Sequence, residues 1–305
     1  MIEFLLTLAI LAGINVLLAC GFNLILGYGG LVSVAQPVFY AIGAYSSALL
    51  SMKLGLPVPL AMVLGALIAA IASFGLSLPS LRVSGDYLVI ASMGFQLGII
   101  HIINNVEFTG AASGLSGIVS AIESPWRSQI YAGTIIAICA VTILAIRWLV
   151  TGPYGRAITA MRNDEEVFAS LGRDAVHIKV TLFAVGSGIA GLAGGLYAHY
   201  FLFLTPDQYG IFSSATLLTM VVVGGAATVR GPVLGAIFLT VLPEAIRFLN
   251  LPIAVMAPLQ GVIFTGLVIL FLFVKPEGLF GSKSGGGLDA WQSRAMSSSM
   301  RKGAK

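Results

Sequence analysis

Apolar runs of roughly 18 to 25 residues recur along this chain, and they restrict its fold more than any motif does. A bilayer core takes about 20 apolar residues per helix. Backbone polar groups at that depth must be satisfied within the segment, which favours helices as the spanning element. Nine segments fit: Phe4–Leu26, Gln36–Ser51, Pro57–Leu78, Tyr87–Asn104, Gln129–Val150, Lys179–Tyr200, Ile211–Val229, Pro232–Phe248 and Ala254–Phe273. The chain is 58% hydrophobic and 9% charged, which suits a helical membrane protein and no soluble class. The expected fold is therefore an all-α integral membrane protein, a polytopic bundle of about eight or nine transmembrane helices. Ser33–Pro37 and Gly224–Pro232 set Gly, Pro and polar residues beside apolar runs, so either fits a broken or re-entrant helix buried by its neighbours. The first run lacks a basic leader and a small-x-small cleavage site, and reads as a retained span.

Other classes find little support. Cys20 and Cys139 fall inside predicted spans, away from any disulfide framework, and His101, His177 and His199 have no metal-ligand spacing. No metal site is expected. The net charge of +4 calls for no nucleic acid, because basic residues at one membrane face account for it. With the polar segment 151–178 cytoplasmic, 13 of the 16 Lys and Arg residues fall inside and only Lys53, Arg127 and Arg247 fall outside. That bias puts the N-terminus outside and the C-terminus inside. Residues 1–281 form one transmembrane domain, and 282–305, rich in Ser, Gly and basic residues, form a disordered cytoplasmic tail on this reading.

The polar segment carries its own local code. Between Thr151 and Val180 lie four basic and four acidic residues. Pro153 opens one short helix through Met161. Asn163 as N-cap, with Asp164, Glu165 and Glu166 in the first turn, opens a second that Gly172 ends in a left-handed conformation. Val167, Phe168 and Leu171 then form a small apolar face, to be buried against the bundle or against a docked protein. Gly186, Gly188, Gly191, Gly194 and Gly195 crowd one span at spacings that bring backbones close, as a static contact or as a hinge. Arg82 with Asp86, and Glu244 with Arg247, are spaced to pair on one helix face, as structural anchors or as a gate.

At this point the chain resembles a family. The segment is similar to the coupling loop of ATP-binding-cassette importer permeases, whose signature is an acidic residue, two small residues and, after three more, a glycine. Glu166, Val167, Phe168 and Gly172 match it, with Val167 and Phe168 bulkier than the pattern. The stretches Gly21–Leu50, Leu81–Asn105, Phe108–Ile118, Val221–Arg247 and Lys275–Gly281 resemble the high-affinity branched-chain amino acid permeases. Gly85–Tyr87 and the long outer segment before Gly117 favour the LivM type over its LivH-type companion. The resemblance implies a bacterial inner-membrane importer with two permease subunits, two cytosolic ATP-binding subunits and an external solute-binding protein. On it, Arg162, Glu165, Glu166, Phe168, Leu171 and Gly172 couple this chain to the ATPase. ATP and Mg²⁺ belong to that ATPase, and no cofactor is bound by this chain.

The sequence fits that division of labour. It holds no phosphate-binding loop, no H-E-x-x-H and no nucleophile elbow, so a transport role and not an enzymatic one is expected. An ion-coupled secondary transporter, the runner-up, needs ionisable groups near the midplane, and the span centres are nearly free of them. Asn23, Gln36, Gln96, Asn104, Asn105 and Gln260 are polar groups on or near spans, suited to a substrate path or to interhelical hydrogen bonds. The family default substrates are leucine, isoleucine and valine, with urea and short amides as the alternative.

Overall fold

The computed structural model describes residues 2–80, 86–122, 124–247 and 266. Eleven helices run through them: α1 (Ile2–Asn23), α2 (Gln36–Leu54), α3 (Val58–Ala72), α4 (Phe74–Ser80), α5 (Asp86–Asn105), α6 (Arg127–Thr151), α7 (Pro153–Asn163), α8 (Glu165–Ser170), α9 (Ala175–Phe201), α10 (Ile211–Gly224) and α11 (Arg230–Arg247). Five helical stretches are long and apolar enough to cross a membrane: Ile2–Tyr28, Val58–Ser77, Tyr87–Asn105, Arg127–Thr151 and Ala175–Phe201. A polytopic helical membrane protein is the fold these residues form.

The bundle is organised around α9, which packs along α1, α2 and α3. Its glycines make this possible. A Cβ on Gly43 of α2 would overlap the backbone of Gly191, and one on Gly21 of α1 would stand 2.8 Å from the Gly186 carbonyl oxygen. In lipid, where apolar burial gives helices no reason to associate, close backbone approach supplies the dispersion contacts that hold them together.

Three breaks depart from the expected spans. First, α1 does not stop near Leu26; it runs on through a widened π-helical turn, Leu24–Tyr28. Gly27 sits in that turn, where a Cβ would meet both the Asn23 side chain and the Ala227 backbone nitrogen. Second, the span expected over Pro57–Leu78 is interrupted at Ser73, whose hydroxyl turns back to the Ala70 carbonyl at 2.6 Å. Such back-bonding bends helices. Third, α10 ends at Gly224, short of the expected Val229, and a turn through Gly225 (φ +112°) and Ala227 (φ +59°) leads into α11. Asn23 holds that turn from across the bundle: its Oδ1 accepts from Ala227 N at 2.9 Å and its Nδ2 donates to Thr228 O at 2.8 Å. The irregular backbone thus finds its partners in protein. The segment expected over Ala254–Phe273, the tail 282–305, Gln260, Arg82 and the side chains of Asp86 and Arg247 lie outside the described residues, so neither ion pair is placed.

At the end of the bundle remote from α7 and α8, the segment between α5 and α6 folds back over the helices. Its short strand β1 (Leu115–Ser116) pairs antiparallel with β2 (Phe203–Leu204), just past α9. His199, fully buried, has Nδ1 2.7 Å from Val119 O and Nε2 2.9 Å from Ser47 Oγ. Arg127 donates from Nη2 to the carbonyls of His199 and Tyr200, at 3.3 and 2.5 Å. A cation on the last carbonyls of α9 satisfies acceptors that the helix leaves open and complements its dipole.

Candidate functional site

At the other end, α7 and α8 form a compact cap. Pro153 sits at the start of α7, as the sequence indicates. The start of α8 differs by one residue: Asn163 closes α7, and Asp164 is the N-cap, in extended conformation with Oδ1 accepting from Val167 N at 3.1 Å. Both residues are good caps by type, and the prolongation of α7 through Asn163 decides between them. Glu165 and Glu166 occupy the first turn of α8, and Gly172 follows its end at φ +73°.

The apolar face expected over Val167, Phe168 and Leu171 is split. Phe168 is buried in the core of the chain, at 6% exposed, whereas Val167 (54%) and Leu171 (74%) face outward. At about 100° per residue Val167 and Leu171, four apart, share one face while Phe168 is turned away from Val167 toward the bundle. Phe168 therefore seats α8, while Val167 and Leu171 remain available to something outside this chain.

Two latches fix the cap. Lys179, one turn inside α9 and 4% exposed, pairs with Glu165 at 2.6 Å. The aliphatic stem of Arg162 lies over Gly30, where a Cβ would stand 2.9 Å from Arg162 Cγ; Gly30 also has φ +68°, which favours glycine on its own account. A cavity of about 140 Å³ between these latches is lined by Gly29–Val32, Leu88, Met161–Glu165 and Lys179. The Glu165 partner was not anticipated from the sequence, where Lys179 reads only as the basic edge of a span. A lysine one turn inside an apolar helix is itself the signal, since burial without a partner is costly.

Of the polar groups considered for a substrate path, Asn23, Gln36 and Gln96 are buried and each is committed to another element's backbone. Gln36 Nε2 donates to Gly186 O at 3.1 Å and Gln96 Nε2 to Tyr209 O at 3.0 Å, beside the Asn23 bonds described above. Asn104 is half-buried, and Asn105 is exposed with Nδ2 2.7 Å from His101 O. None of the five lines a cavity of about 210 Å³, whose walls are Asn15 and Leu18 of α1, Pro37 and Tyr40 of α2, Tyr197 of α9, Gln208, and Ser213, Thr216, Leu217 and Met220 of α10. Asn23 and Gln96 satisfy backbone where helices break, Gln36 adds a bond to a carbonyl within α9, and these places lie outside this cavity. The cavity is lined by hydroxyl, amide and aliphatic groups and by no ionisable acid or base apart from tyrosine. It is smaller than the ~300–1,000 Å³ typical of drug-sized ligand sites.

Among the described residues no group of His, Cys, Asp and Glu could hold a metal ion. The arrangement offers chemistry for holding and passing a small molecule.

Comparison with known proteins agrees. The family model described as "Branched-chain amino acid transport system / permease component" matches residues 4–272. The LivM high-affinity branched-chain amino acid permease of Escherichia coli K12 is 33% identical over 89% of this chain and 69% of its own length. The probable LivM permease of Methanocaldococcus jannaschii is 28% identical over 75% of this chain and 68% of its own. The LivH permease of Escherichia coli K12 is 24% identical over 87% and 90%. No solved structure matches the chain.

Proposed function

The chain belongs to the branched-chain amino acid permease family, and from that premise we propose that it carries leucine, isoleucine and valine across a bacterial inner membrane by way of the cavity between α1, α2, α9 and α10, driven by a cytosolic ATPase that docks on α7 and α8. It is a LivM-type membrane permease subunit of an ATP-binding-cassette importer and not an enzyme. The remaining parts of the reading are a LivH-type second permease, two ATP-binding subunits, an external binding protein, and ATP with Mg²⁺ on the partner. The N-terminus is outside and the C-terminus inside on the same reading. Urea or a short amide is the alternative cargo for so small a cavity.

The observation that carries this reading is the cap itself. Two short helices are latched to the bundle through Phe168, Arg162 and Lys179–Glu165, yet they turn Val167 and Leu171 outward. An apolar pair on an anchored helix is suited to a groove in another protein, where its displacement is passed on through the latches. Glu165 and Glu166 act at the rim.

The test is Leu171→Asp in the assembled importer. Co-purification of the ATPase and uptake of branched-chain amino acids both fall, at unchanged yield of the folded permease, because Leu171 is 74% exposed. Normal assembly and uptake would refute the docking surface. Mass spectrometry of the ligand bound to the cognate binding protein identifies the cargo. Cysteines at Ser116 and Ser170, both exposed, test orientation: an impermeant thiol reagent added to intact cells labels the first, and labels the second only after permeabilisation.

A further inference from the structure

The segment of residues 29–35, ahead of α2, touches the cap at its start and, further along, α10, which lines the cavity through Ser213, Thr216, Leu217 and Met220. At its start, Gly30 lies under Arg162. Further along, Val34 N donates to Ser92 Oγ of α5 at 3.0 Å, and Val34 O accepts from Ser214 Oγ of α10 at 2.8 Å. Ser214 Oγ has a second acceptor, Gln96 Oε1, at 2.9 Å. Gln96 in turn holds Tyr209 O through Nε2 at 3.0 Å. Tyr209 follows Gln208, which lines the cavity, and the Gln208 carbonyl accepts from Ser213, another lining residue, at 2.5 Å.

A serine hydroxyl has one proton, and here two acceptors compete for it. Rotating the Gln96 amide would not relieve this, because Oε1 would then face the Tyr209 carbonyl, acceptor against acceptor. Ser214 is 3% exposed and Gln96 is fully buried, so water does not readily take the place of the missing donor. One of two carbonyl oxygens is always short of a proton. If the proton goes to Val34, α10 is tied to the segment under the cap; if it goes to Gln96, α10 is tied to the wall of the cavity.

We propose that Ser214 is a positioning residue that links the cap to the cavity by turning its single O–H between two acceptors, Val34 O and Gln96 Oε1. The proposal rests on the transport reading above, and it names which contact carries motion between the two ends. A shift of the cap moves Gly30 and with it Val34, lengthening one bond of the pair and favouring the other. The cavity wall at Gln208 and Ser213 then follows Gln96 and Tyr209.

The test uses the complete importer in proteoliposomes. Ser214→Ala keeps ATP hydrolysis stimulated by loaded binding protein within about twofold, but lowers substrate moved per ATP at least about fivefold; Ser214→Thr, which retains the hydroxyl, restores most of it. Equal coupling in Ser214→Ala and the parent overturns the proposal, and so does equal loss in the Ala and Thr variants, which marks a purely steric role. If Ser214→Ala fails to assemble, Ser92→Ala, which frees Val34 N, must reproduce the uncoupling, and normal coupling there overturns the proposal. Thiol labelling of Gln208→Cys, in a Cys20→Ala, Cys139→Ala background, separates this idea from the transport reading. Nucleotide changes the labelling rate with Ser214 present and leaves it unchanged with Ser214→Ala, whether or not branched-chain amino acids prove to be the cargo. A nucleotide response that persists in Ser214→Ala removes Ser214 from the link.

Discussion

The ion pair that fastens α8 gives an asymmetric prediction. Lys179 has 5% of its side chain exposed and Glu165 46%, with Nζ and Oε1 2.6 Å apart. Glu165→Gln leaves a cation in the interior with only a neutral oxygen beside it. Removing one partner of a fully buried pair costs about 3–5 kcal/mol. Water reaches half of this pair, so the loss expected is about 1–3 kcal/mol. Lys179→Met removes the buried charge and keeps most of the stem volume, while the freed carboxylate is already half in water; the expected cost is under about 1 kcal/mol. The double variant falls near Lys179→Met and not near the sum, because no charge remains inside. Dodecyl sulfate titration of the purified chain in mixed micelles, followed by near-UV circular dichroism, gives the three free energies. If Lys179→Met is as damaging as Glu165→Gln, or if the double variant is no better than Glu165→Gln alone, the pair does not fasten α8 in the way described.

Further expectations follow from the same geometry. Phe168→Ala cuts away a buried anchor and loosens the cap by about 3–5 kcal/mol, the usual cost of truncating a buried phenylalanine; faster proteolysis between residues 164 and 174 reports it. Asn23→Leu strips the 225–229 turn of two hydrogen bonds and strands a buried donor and acceptor, for a loss of about 2–4 kcal/mol in the same detergent titration. Gly43→Ala forces α2 from α9 and costs at least about 1–3 kcal/mol, whereas Gly94→Ala on α5, where a Cβ meets nothing within 4 Å, is neutral or slightly stabilising. Equal effects of the two glycine variants would contradict the packing described.

Much of the fold could be read from hydrophobic run length, since bilayer thickness fixes how long an apolar helix must be. α6 and α9 begin and end within a few residues of that reading, and Pro153 and Gly172 mark the cap as glycine and proline chemistry dictates. Helix breaks were less legible. The Gly, Pro and polar residues of Gly224–Pro232 mark a break there but not its partner: Asn23, distant in sequence, offers both a donor and an acceptor to the turn. The same holds at the candidate site. Residue type singled out Asn23, Gln36 and Gln96 as polar groups in an apolar chain, but whether such a group faces a cavity or a carbonyl depends on which backbone stands opposite. Asn15, Ser213 and Thr216, which do line the cavity, look like ordinary small polar residues of a span. The split of Phe168 from Leu171 was likewise invisible, because spacing places them on one helix without saying which is nearer the bundle.

The crossing of α2 with α9 sets limits on how this protein can change over time. At most buried contacts an enlarged side chain can be accommodated by shrinking its neighbour, so paired substitutions drift together. Gly43 and Gly191 are already without side chains; a Cβ on Gly43 would strike the main chain of Gly191, whereas one on Gly191 would meet α3 at the Ala69 Cβ and the Ala66 backbone. A larger residue at Gly43 has no smaller partner to ask for. Recovery after such a change must come from moving whole helices, which would disturb α1 and α3 as well. Gly43 is therefore a position closed to compensation by its neighbours.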